Sequence, residues 1–238
     1  MADENMHVVS LSGGKDSTAM LLMMLEHGMQ VDEVVYFDTG WEFPVMSEHI
    51  ALVEEYTGIA VTRLRPDKPF EYWMFDHVRT RGAYKGMAGW GWARPRGRWC
   101  TKLKTSAIDK HVHALADGRE VVRYIGIAAD EPRRIREFNY PLADWGVTEA
   151  DALAYCYARG FDWGGLYEHF HRVSCWCCPL QPLAELRKLR HEFPELWVQL
   201  RNMDARAWNT FRRDYSVEQL ECRFALEDAQ TSIFDEVV

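Results

Sequence analysis

One six-residue run, Ser12-Gly13-Gly14-Lys15-Asp16-Ser17, constrains this chain more than any other feature. It is preceded by Met6–Leu11 (Met-His-Val-Val-Ser-Leu), which reads as a buried strand, and followed by Thr18–His27, an apolar helical run ended by Gly28. A glycine-rich turn between a buried strand and a helix lets the backbone approach an anion closely. The helix start adds unpaired amides and partial positive charge. Ser12 and Ser17 offer hydroxyls and Lys15 a full charge. Asp16 can cap the helix or organise a magnesium ion. The run is not a Walker loop, because Val9 stands where that motif places its first glycine.

The segments that follow keep the same rhythm. Glu33–Phe37 reads as a second strand closing in Asp38-Thr39-Gly40. Pro44 opens a helix to Thr57, Ala60–Leu64 reads as a third strand and Pro69–Val78 as a helix. A further helix is expected from about 101 to 114, then a fourth strand at Val121–Ile127. Strands alternating with helices, without hairpin signals, predict an α/β fold: a parallel sheet with helices on both faces. Ligands of such sheets lie beyond the carboxyl ends of the strands. There the chain places Ser12–Ser17, Asp38–Gly40 and Gly126–Arg134. After Asn139 the pattern turns helical. Thr148 caps a helix with Asp151 in its first turn, and helices are expected over about 182–191 and 194–213. The expected division is an α/β domain over 1–145, which carries the anion-binding turn, and a C-terminal helical subdomain over 146–238 that carries a cysteine cluster.

The formal charge of −8 argues against broad coating of nucleic acid, but the charge is uneven. From His77 to Ile108 there is no Asp or Glu, while Arg79, Arg81, Lys85, Arg94, Arg96, Arg98, Lys102 and Lys104 fall in that window. With its glycines and Trp90, Trp92 and Trp99, the window reads as a semi-mobile flap that closes on something anionic. No run approaches the roughly 18 apolar residues that span a bilayer, and no apolar leader opens the chain, so a cytoplasmic protein without membrane contact is expected.

Six cysteines then need thiol or metal roles: Cys100, Cys156, Cys175, Cys177, Cys178 and Cys222. Ser174-Cys175-Trp176-Cys177-Cys178-Pro179 holds a C-x-x-C pair with a third cysteine inside it. Three thiolates would leave one metal position open. The basic residues around Cys100 would lower its thiol pKa. A zinc site on Cys100, Cys175, Cys177 and Cys178, a metal-free redox pair and an iron–sulfur cluster are all compatible with the pattern. Cys156, in Leu153-Ala-Tyr-Cys-Tyr, reads as core.

Several of these motifs together resemble a known family. Leu-Ser-Gly-Gly-Lys-Asp-Ser is similar to the pyrophosphate loop of the adenine nucleotide α-hydrolase superfamily. Phe37-Asp38-Thr39-Gly40 with Glu42 and Pro44, Gly126-Ile127-Ala-Ala-Asp130-Glu131 with Arg133 and Arg134, and Arg98-Trp99-Cys100-Thr101 with Lys104 resemble its phosphoadenosine phosphosulfate reductase branch. The resemblance covers about residues 6 to 185. It implies a nucleotide, ATP or phosphoadenosine phosphosulfate, held at Ser12, Gly13, Gly14, Lys15, Asp16 and Ser17. The adenosine would lie near Phe37, Asp38, Thr39, Gly126 and Ile127, with Asp130, Glu131, Arg133 and Arg134 beside it. It implies chemistry by Lys15, Asp16, Lys104 and Arg133, and a 4Fe-4S cluster on Cys100, Cys175 and Cys178, with Cys177 as a possible replacement. The expected activity is nucleotide-linked sulfur transfer or reduction. An ATP pyrophosphatase acting on a substrate such as nucleic acid, and a nucleotide or redox sensor, are the alternatives. A redox protein is a further possible partner. The cluster-free reductases carry a catalytic cysteine beside Gly and His in their tail, whereas Glu221-Cys222-Arg223-Phe224 shares only the Glu-Cys pair.

Overall fold

A computed structural model describes residues 5–235. The strands β1 (Met6–Leu11), β2 (Glu33–Phe37), β3 (Val61–Leu64) and β4 (Val121–Ile125) form one sheet in the order β3-β2-β1-β4, with every pairing parallel. Val8 and Val9 of central β1 are wholly buried, as a strand flanked by neighbours and covered on both faces requires. The helices around it are α1 (Lys15–Glu26), α2 (Val45–Thr57), α3 (Trp99–Ala116), α4 (Pro141–Asp144), α5 (Glu149–Tyr157) and α6 (Leu166–His169). A helical set follows: α7 (Leu183–Glu192), α8 (Pro194–Arg206) and α9 (Val217–Asp235). The architecture is thus the expected α/β one with helices on both faces of a parallel sheet. Among the described residues, no helix is long and apolar enough to cross a membrane.

The strand order decides where a ligand can lie. The chain moves outward from β1 to β2 and β3, then returns to pair β4 on the other side of β1. The topological switch point falls between β1 and β4, so their carboxyl ends flank the crevice. The turn after Leu11 and Gly126 after Ile125 meet there.

The described residues group into two compact units. A sheet unit comprises the chain up to Pro66 and Lys102–Ser174; a helical unit comprises Asp67–Thr101 and the chain from Cys175 on. The single boundary expected at 145 differs from this division. Residues 146–174 join the sheet unit because α5 packs on α1, with the Cys156 thiol 3.6 Å from the Lys15 carbonyl oxygen. The cap of α5 is as expected: Thr148 Oγ1 accepts from the Asp151 amide at 3.2 Å, and Asp151 Oδ2 accepts from the Thr148 amide at 3.0 Å.

In the helical unit three elements depart from the sequence reading. The helix expected over 69–78 is a single wide turn, Tyr72–Asp76, because the amides of Trp90 and Gly91 take the carbonyls of Trp73 and Met74 at 2.9 Å each. The helix expected to run to 213 stops at Arg206, where Ala207 turns extended and Asn209 pairs with the Trp92 backbone. α9 was not expected. Ser216 Oγ accepts from the Gln219 amide while Gln219 Oε1 accepts from the Ser216 amide, a capping box whose Ser-x-x-Gln spacing is visible in the sequence.

The basic window is pinned by its own packing. Val78 bridges Ala88, Trp92 and Trp99 are buried, and the Trp99 indole donates to the Gly91 carbonyl at 2.9 Å. A Cβ on Gly89 would lie 2.1 Å from Met74 O, so that glycine serves close approach rather than hinging.

Candidate functional site

The turn after β1 folds around its own hydroxyls. Ser17 Oγ donates to Gly14 O at 3.0 Å and sits 2.9 Å from Ser12 Oγ, which draws the turn into a closed loop. Gly13 adopts φ 81°, where a side chain is strained, and a Cβ there would also meet Met46 Sδ at 2.6 Å. The Lys15 amide donates to Tyr167 Oη at 2.7 Å and the Thr18 amide to Gly14 O at 3.0 Å. Among the described residues the amides of Gly13, Asp16 and Ser17 find no acceptor. Unpaired amides at a helix start form an anion cradle.

Gly126 closes the other side of the crevice. A Cβ on it would lie 2.6 Å from both Cα and N of Ser17, so the end of β4 touches the start of α1 as only glycine allows.

The side chains of Lys15 and Ser17, in a turn, are nonetheless both buried. Lys15 Nζ donates to Glu149 Oε1 at 2.9 Å and lies 3.4 Å from Asp16 Oδ1. Burial pushes the Asp16 carboxyl pKa upward, and the Lys15 charge only partly opposes it. Asp16 Oδ1 is buried and accepts no hydrogen bond despite that ion-pair distance. One carboxylate oxygen from each of Asp16, Glu131 and Glu149 falls within 4.8 Å of the others. Glu131 is paired with Arg134 and Arg172, and the Glu149 amide donates to Asp130 Oδ1 at 3.1 Å. The orphaned Asp16 oxygen and the hard oxygen donors fit a magnesium ion. Lys15 and the two arginines already neutralise much of this charge.

At the end of β2, Phe37 is core, as is Ile127 after β4, so both can offer only backbone to a ligand. Thr39 donates its amide and hydroxyl to Glu42 at 3.1 and 2.7 Å, and Asp38 accepts from Arg65 Nε at 2.9 Å. Burial raises the Glu42 pKa, while the Lys104 charge lowers it, which places Lys104 near this carboxylate. A cavity of about 200 Å³ lies here, lined by Asp38, Gly40, Glu42, Arg63 and Arg65 among others. Arg133 is exposed, and among the described residues it joins no ion pair.

Sequence reasoning missed the residues beneath the loop. Trp163 Nε1 donates to Gly13 O at 2.7 Å from a backbone φ of 52°, a left-handed conformation that costs a bulky residue about 1 kcal/mol or more. His49 stacks on Trp163 at 4.5 Å and lies 3.0 Å from Thr18 Oγ1. Burial depresses its pKa to about 4, so it is neutral. Neither residue sits in a local motif; the visible signal was only their aromatic character.

The helical unit carries Cys100, Cys175, Cys177 and Cys178. Cys177 is buried, and the other three are half-buried. Burial raises the Cys178 pKa, and the charge of nearby Cys100 adds to the rise. The expected lowering at Cys100 is reversed: burial outweighs its amide contacts and the Arg98 charge, and the thiol pKa rises. Among the described residues no three sulfurs come within 4.8 Å of one another. Tetrahedral zinc with bonds of about 2.3 Å would set them about 3.8 Å apart. Gln181 Nε2 braces the turn by donating to the carbonyls of Cys175 and Trp176 at 2.9 and 3.1 Å. Cys156 is core, as expected, and burial raises its pKa to about 12. Cys222 is exposed on α9, and its neighbour Glu221 is engaged by Arg190 and by Trp197 Nε1 at 2.6 Å. Glu221 therefore ties α9 to Arg190 and Trp197, while Cys222 stays exposed.

Known proteins place this arrangement. Two uncharacterized proteins of Methanocaldococcus jannaschii are similar. MJ0066 is 29% identical over 213 residues, covering 82% of this chain and 41% of the relative; MJ0973 is 26% identical over 196 residues, covering 79% and 46%. The chain thus spans less than half the length of these curated relatives. The pattern of the phosphoadenosine phosphosulfate reductase domain matches residues 6–181, from β1 through the cysteine turn. That match takes in the loop, the strand ends and every cysteine just described except Cys222, and the chain belongs to the phosphoadenosine phosphosulfate reductase family.

Proposed function

We propose that this chain is an enzyme that binds an adenine nucleotide with its phosphates at the start of α1 and carries out nucleotide-linked sulfur transfer or reduction. The observation that carries the reading is the trio of unpaired amides of Gly13, Asp16 and Ser17 at the β1–β4 switch point. The cavity beside Asp38 and Glu42 suits the nucleoside end, where Arg65 and Lys104 balance the carboxylates. Arg134 is held by Glu131 near the crevice and could turn its fork to a phosphate or sulfate oxygen. Cys100, Cys175 and Cys178 would hold a 4Fe-4S cluster, which when bound would supply electrons. Calorimetry with ATP and with phosphoadenosine phosphosulfate tests the binding. Binding of neither nucleotide overturns the reading.

A second reading is favoured by the acidic trio. Asp16, with Glu131 and Glu149, suits a magnesium ion bound together with a triphosphate. The chain would then be an ATP pyrophosphatase that adenylates an oxygen, nucleic acid among the candidates. Product analysis separates the two. Sulfite with an adenosine bisphosphate selects the first, pyrophosphate from ATP selects the second, and neither product selects a nucleotide or redox sensor.

A further inference from the structure

The helical unit presents a strip that the nucleotide reading does not use. The segment 84–96 runs beside 208–213, and the two are zipped together. The Trp92 amide donates to Asn209 Oδ1 at 2.8 Å, Asn209 Nδ2 to Trp92 O at 3.1 Å, and Arg94 Nη2 to Thr210 O at 2.7 Å. The close approach needs Gly91, whose Cβ would meet Asn209 Oδ1 at 2.1 Å.

One end of the strip is aromatic. Tyr84, Trp90 and Trp208 are 50%, 40% and 42% exposed, unusual for three large rings gathered on one cation. That cation is buried Arg79, whose guanidinium lies 4.7 Å from the Trp208 ring centre, 5.0 Å from Tyr84 and 5.5 Å from Trp90. Its Nε donates to Gly89 O at 2.8 Å, which fixes it from below. The rings are thus ordered by a cation–π contact, Trp90 is also stacked on His77 at 5.7 Å and Tyr84 packs on Trp208 at 5.3 Å, yet each ring keeps two fifths or more of its surface exposed.

The other end is basic. A groove of about 980 Å³ is lined by Arg94, Arg96, Arg212 and Arg213, with Asp214 and Leu180 among the rest of the wall. Arg94 and Arg212 hold the wall: Arg94 bonds Thr210 O, and Arg212 bonds Gln181 O at 2.6 Å and pairs with Asp214 at 3.1 Å. Arg96 and Arg213 are exposed, and among the described residues neither pairs with a carboxylate. Four guanidinia against one carboxylate leave the groove strongly positive in a chain whose formal charge is −8.

We propose that this strip binds single-stranded nucleic acid. Trp208 and Arg213 are five residues apart, at most about 17 Å of chain. Rings and charges therefore fall within the reach of a few nucleotides. A positive groove that follows the backbone, next to rings on which unpaired bases stack, is the combination single strands require. In a duplex the base faces are hidden by stacking on neighbouring pairs, and a free phosphate has no ring to stack. The proposal stands apart from nucleotide binding at the β1–α1 turn.

The test is fluorescence anisotropy of the full chain with labelled single-stranded RNA and DNA 12-mers, the corresponding duplex, and polyglutamate as an acidic peptide. Tight binding to either single strand, with weaker binding to duplex and to polyglutamate, is expected. Arg96→Glu/Arg213→Glu, both exposed, should lower the slope of log K against log salt by about 1.4. Trp208→Ala should weaken single-strand binding about five- to 100-fold, with Trp208→Phe retaining most of it. All variants should keep the wild-type circular dichroism and the wild-type response to ATP in calorimetry. No single-strand binding in low salt, equal binding of duplex or polyglutamate, or an unchanged affinity in the arginine double variant overturns the proposal.

Discussion

Lys15 Nζ and Glu149 Oε1, 134 positions apart in the chain, meet at 2.9 Å with side chains 6% and 17% exposed. The lysine of the glycine turn is thus an anchor between α1 and α5 before it is a phosphate ligand. Lys15→Ala leaves Glu149 and Asp16 without their cation and is expected to cost about 1–3 kcal/mol of stability. Lys15→Met/Glu149→Gln should recover part of this, because Glu149 is then neutral and only Asp16 lacks its cation. Urea midpoints of the three proteins check it; a single-variant change below about 0.5 kcal/mol, as at an ordinary surface lysine, would refute it.

His49 gives the chain an acid sensitivity with a definite sign. Burial holds its pKa at about 4 in the folded chain, below the ordinary 6.5, and the Asp162 charge only partly opposes this. As pH falls the unfolded chain takes up this proton first, so the contribution is complete above about 6.5 and is lost between 6.5 and 4. Between pH 7.5 and 5 the wild type should lose about 2 kcal/mol more than His49→Gln. Denaturant titrations at the two pH values decide it, since the carboxyl groups are common to both proteins.

Gly126 is held by space, not by its backbone angle. Gly126→Ala puts a methyl 2.6 Å from the Ser17 backbone and should push β4 from the start of α1. An overpacking cost of about 1–3 kcal/mol is expected, together with weaker nucleotide binding. Thermal melts and calorimetry measure the two effects, and an alanine variant equal to wild type in both would show that the contact is loose.

The cysteine turn predicts a pattern of metal loading. After anaerobic reconstitution with iron and sulfide, Cys100→Ser and Cys178→Ser should hold much less iron per chain than wild type. Cys222→Ser should hold as much, because Cys222 is exposed on α9 and its neighbour Glu221 is tied to Arg190. Iron and sulfide counts with a visible spectrum read this out. Zinc in place of iron in protein purified without air would instead bring Cys177 into the ligand set.

What the sequence determined by itself are the features set within a few residues. The run Ser12–Ser17 dictates a strand–turn–helix junction because two glycines and two hydroxyls can close only a short loop there. Thr148 with Asp151, and Ser216 with Gln219, write their caps at three-residue spacing, the second pair without an amphipathic signal to mark α9 after it. The apolar runs of β1 and β2 announce a sheet covered on both faces. Their parallel order follows because each is separated from the next by a helix. The Cys-x-x-Cys turn and the acid-free window were equally plain.

Which distant groups meet is set by the assembled fold. Nothing near Lys15 in the chain names Glu149, nothing near Gly13 names Trp163, and nothing near Arg79 names Trp208. Those pairings depend on where β4 re-enters beside β1 and on how the strip 208–213 lies along 84–96. They also set the energetics. A lysine that looks solvated becomes a buried ion pair, and a cysteine among arginines has its pKa raised because burial outweighs nearby charge. Local hydrogen bonding and periodicity are written in short spacings. Burial is a property of the assembled chain, and it determines the protonation and partners of the site.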